Sequence, residues 1–145
     1  MKIPVVSAML SMSNKKIDSL VVQMESHLEC WKQFAHYINM ARAKKFELED
    51  EAQFLEVKSV IAQELEIIMA SLEIQTPTKE EIHTLIAQAP SLRYLSEMNE
   101  GAIRAMENQW HKIFIAWQSL LGQLKVQQKA DVQKGFLSSI FGKKE

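Results

Sequence analysis

Glycine and proline are scarce in this 145-residue chain, which contains four glycines and three prolines. A β-rich fold needs turn residues about every 8–12 positions, so this scarcity argues against such a fold and favours long helices with few connections. The single cysteine, Cys30, excludes an internal disulfide and gives no sign of an oxidising compartment. No apolar run approaches the ~20 residues of a membrane span. We therefore expect a cytoplasmic, all-α protein.

The charge is nearly balanced overall but unevenly placed along the chain. The formal net charge is −1, so bulk electrostatics point to no class of partner. Residues 47–81 carry ten acidic residues against two lysines, whereas both ends of the chain are basic. We interpret this pattern as complementary packing of neighbouring helices.

The first long helix is predicted from apolar residues whose spacing alternates between four and three, a pattern typical of a bundle helix. These residues are Ile17, Val21, Met24, Leu28, Trp31, Ala35 and Ile38. Asn14 is the expected N-cap, and the helix should cover residues 15–45. The charge changes sign from Lys45 to Glu47, which predicts a turn near residues 45–49. The alternative is one unbroken helix over residues 15–74.

Three further helices follow from the same reasoning. A second stripe predicts a helix over 49–74, which ends before Pro77. Thr78 and Glu81 form a T-x-x-E capping box that opens a short helix over 79–89. A third stripe predicts a last long helix over 92–134, with Gly135 as its terminator. The predicted fold is a bundle of three long helices and one short helix in a single domain, residues 1–134, with an apolar N-terminal segment at 1–13.

Candidate chemical groups are few and isolated. His27 and Cys30 lie three residues apart, but a structural zinc site needs four ligands, and we expect both to be partly solvated beside the stripe. Glu80 and His83 supply only part of a di-iron site. The tryptophans fall on the helical stripes and are expected in the core: Trp31, Trp110 and Trp117. We therefore predict no metal, no cofactor and no enzymatic activity.

One basic row on the last helix is a candidate for contact with nucleic acid. It consists of Lys125, Lys129 and Lys134. A nucleic-acid surface needs a longer basic stripe or a recognisable module, and the chain is slightly acidic overall. No nucleic-acid partner is predicted.

The C-terminal tail, residues 135–145, is the strongest candidate for a binding site. It groups large apolar residues on one helical face next to basic residues, a pattern that fits a partner groove or an anionic membrane surface. The candidate contact residues are Phe136, Leu137, Ile140, Phe141, Lys143 and Lys144. The alternative is a tail that folds back on its own bundle.

The predicted function is a non-enzymatic protein-binding module, an adaptor or small chaperone. A peripheral membrane protein anchored by the tail is the second hypothesis, and a homo-oligomer that covers an exposed stripe is a further possibility.

Overall fold

The first helix, α1, spans Asn14–Ala43 in the computed structural model, which describes residues 12–141. Its N-cap is Ser13, whose hydroxyl accepts a hydrogen bond from the Lys16 amide at 3.2 Å, so the predicted cap at Asn14 was one residue too late. The helix ends at Lys44, which adopts a left-handed conformation with φ 58°. The Lys44 and Lys45 amides then donate to the Ala41 and Met40 carbonyls, the pattern of a Schellman motif.

The second helix, α2, spans Leu48–Ser71 and follows directly from that turn. Glu47 and Asp50 form a reciprocal capping box, in which the Glu47 amide donates to the Asp50 carboxylate at 2.9 Å. The acidic residues of the first turn also favour a helix N-terminus at this point. The predicted hairpin is confirmed, and the alternative of one unbroken helix over residues 15–74 is wrong.

Two short helices and one very long helix complete the described chain: α3 is Lys79–Ala87, α4 is Leu92–Ser96 and α5 is Glu100–Phe141. Hydroxyl caps begin the short helices, with Thr78 accepting from the Glu81 amide and Ser91 accepting from the Tyr94 amide. The Thr78 cap was predicted from the T-x-x-E sequence.

The predicted last helix, 92–134, starts at Leu92 as expected, but its continuity and its C-terminal end were wrong. It is divided into α4 and α5 because Asn99 caps a new helix, with its side-chain oxygen accepting from the Ala102 amide at 2.8 Å. It also continues through Gly135 to Phe141. A C-terminal glycine stops a helix by adopting a positive φ, and none of the glycines within residues 12–141 does so.

The core is built around α1, which packs against α5, α2 and α4. The largest fully buried side chains include Trp31, Trp117, Phe34 and Phe54. Aromatic rings link the helices, with the Phe34 and Phe54 centroids 5.5 Å apart. Trp110 is only partly buried, and its indole N–H donates to the Trp31 carbonyl at 2.9 Å. The all-α bundle fold is therefore confirmed, with five helices in the described residues.

Candidate binding surface

The C-terminal part of α5 extends past the end of the bundle. Near the start of α1, Gln128 donates to the Asp18 carboxylate at 2.7 Å, and Lys125 pairs with Glu25 at 3.3 Å. The two helices therefore run antiparallel, and α1 begins about one turn before Asp18, close to this part of α5. Every residue from 132 to 141 is exposed. At 1.5 Å per residue, this segment extends about 15 Å from the bundle.

The apolar residues predicted for binding all lie on this projecting segment. Their exposed fractions range from 50% to 65%, and they are Phe136, Leu137, Ile140 and Phe141. At about 100° per residue they occupy one side of the helix, whereas Gly135, Ser138 and Ser139 occupy the other. The four apolar residues therefore share one exposed side of α5, and their role in binding stays a prediction. The prediction that Gly135 separates these residues from the preceding helix is wrong, since the surface is part of α5.

The basic residues of the predicted surface are placed differently. Lys143 and Lys144 lie outside the described residues, as does most of the apolar N-terminal segment. Within the described part of the helix, Lys129 and Lys134 are exposed. Lys125 contributes to the bundle through its ion pair with Glu25. The described segment therefore combines an apolar face with a modest positive charge.

The only fully buried polar side chain among the described residues is His27, which is 0% exposed. Our expectation that His27 is partly solvated was wrong, because α2 and α5 both pack over this side of α1. The Trp31 indole N–H donates to His27 Nε2 at 3.0 Å, which leaves the ring proton on Nδ1 to donate to the Glu64 carboxylate at 3.0 Å. The ring also meets the Trp117 indole edge to face, with centroids 5.1 Å apart.

Both imidazole nitrogens of His27 are hydrogen-bonded within the protein, whereas the buried indole N–H of the adjacent Trp117 has no partner. Burial lowers the pKa of His27 below its ordinary value of 6.5, and the nearby Glu64 carboxylate only partly offsets that effect. The neutral ring fits the geometry, because protonation of Nε2 would displace the Trp31 donor. Both ring nitrogens are already engaged, so neither is available to a substrate or a metal.

Cys30 is a poor nucleophile in this setting. Burial and the negative charge of Glu64 raise the pKa of its thiol to about 11, so it is protonated at neutral pH. His27 cannot activate it, because the imidazole nitrogens bond Glu64 and Trp31 instead.

Other candidates for metal or ligand chemistry are no better assembled. Across residues 12–141, no three His, Cys, Asp or Glu side chains come together to hold a metal ion. A groove of about 400 Å³ lies between α1 and α5, beside Trp110, Arg104 and His111. The groove is open to solvent, and the Arg104 guanidinium beside it is paired with Glu100 at 3.9 Å. No helix within the described range has the length and hydropathy that membrane crossing requires.

Sequence reasoning missed the exposed apolar residues that precede the tail. Ile115 and Val126 lie on α5 and are 50% and 70% exposed. The signal was present in the sequence, since neither residue falls on the stripe predicted for the core.

The chain matches no protein family model, no curated protein and no solved structure.

Proposed function

We propose that this chain is a non-enzymatic protein-binding module, an adaptor or small chaperone, whose contact surface is the projecting end of α5. One observation supports it above the others: four large apolar side chains are exposed on one face of a helix that no other described helix covers. Fully burying a side chain of this size contributes about 1.5–3 kcal/mol before ordering costs. Such a helix suits an apolar groove on a partner protein.

A preformed helix lowers the cost of binding. The segment is already continuous with α5, so a partner does not have to order a flexible tail. Phe136 and Phe141 supply aromatic anchors, the residue class that often dominates interface energies.

The experiment compares two variants in affinity purification. In the surface variant, Phe136, Leu137, Ile140 and Phe141 are each replaced by Gln, which keeps helix propensity and adds no charge. The matched control replaces exposed apolar residues elsewhere with Gln, namely Val22, Leu55 and Ile67. A partner retained by the wild type and the control, but lost from the surface variant, is the expected result. Direct binding of that purified partner should fall at least tenfold in the surface variant.

Flotation with vesicles of anionic lipid tests the membrane hypothesis in the same variants. Retention of a protein partner by the surface variant would contradict the protein-binding proposal. Flotation of the wild type but not the surface variant, with no protein partner lost, would assign this surface to lipid instead.

A further inference from the structure

We draw no further inference here: the strongest candidate, the exposed apolar outer face of α5 that includes Ile115, Val126 and Leu137, carries none, because nothing in the described part of the structure shows what covers it.

Discussion

The two halves of α5 have similar apolar content but opposite surroundings. Residues 100–124 bury six apolar or aromatic side chains against the bundle, among them Trp117 and Leu124. Residues 125–141 bury none, although they include Phe136 and Phe141. The cause is the neighbouring helix: α1 begins at Asn14, about one turn before Asp18, which meets Gln128 of α5. Whether an apolar stripe is exposed thus depends on how far the neighbouring helix extends along it, and not on the residues of the stripe itself.

The largest expected difference between the halves concerns their aromatic residues. Trp117→Ala should lower the free energy of unfolding by about 3–5 kcal/mol, because Trp117 is fully buried between helices. Phe136→Ala should change it by less than about 0.5 kcal/mol, because the side chain is 62% exposed and touches no core. Urea denaturation followed by circular dichroism measures both. A large loss of unfolding free energy in Phe136→Ala would mean that the projecting segment packs on the bundle. The two parts of α5 would then not differ in their surroundings.

A smaller effect should come from the polar group inside the packed region. His27→Ala should cost roughly 2–3 kcal/mol at pH 7, because it leaves a cavity and removes the acceptor of the Trp31 indole. The wild type should also lose stability as the pH falls below 6.5. Its buried His27 has a lowered pKa, so the unfolded chain binds more protons than the folded one in that range.

Stability measured from pH 7 to pH 5.5 tests this linkage. His27→Gln should have a shallower decline than the wild type, whereas His83→Gln, a change at an exposed histidine, should keep the full decline. An unaltered decline in His27→Gln would show that its burial does not govern the acid response.

The fold was predictable because its signals are local. The apolar residues of α1 from Ile17 to Ile38 have helical spacing. The hydroxyls of Thr78 and Ser91 cap the helices that follow them. The position of the interhelical turn followed from the change of charge sign near Glu47. These features depend on residues within a few positions of one another.

The errors arose where distant residues decide the outcome. His27 is buried because Glu64 of α2 and Trp117 of α5 meet it, and no spacing within α1 indicates that. Gly135 looked like a helix end, but a single glycine costs only about 1 kcal/mol in a helix interior. The candidate surface residues were predictable from their pattern, while their projection beyond the bundle required the relative lengths and register of α1 and α5.

The smallest expected effects come from the two glycines of α5, Gly122 beside the bundle and Gly135 beyond it. A Cβ at either position would meet nothing within 4 Å, so Ala is sterically free at both. Gly122→Ala should raise the free energy of unfolding by about 0.5–1 kcal/mol at low protein concentration, because that turn of α5 unfolds together with the core. Gly135→Ala should leave global unfolding almost unchanged, because the projecting segment opens without disturbing the core.

Amide hydrogen exchange shows where the Gly135→Ala effect appears. Its amides between residues 132 and 141 should become more protected, since Ala favours the helix that passes through this position. Reduced protection there would mean that Gly135 ends the helix. The two substitutions are chemically identical, so any difference in global stability between them measures how far the cooperative unit of the bundle extends along α5.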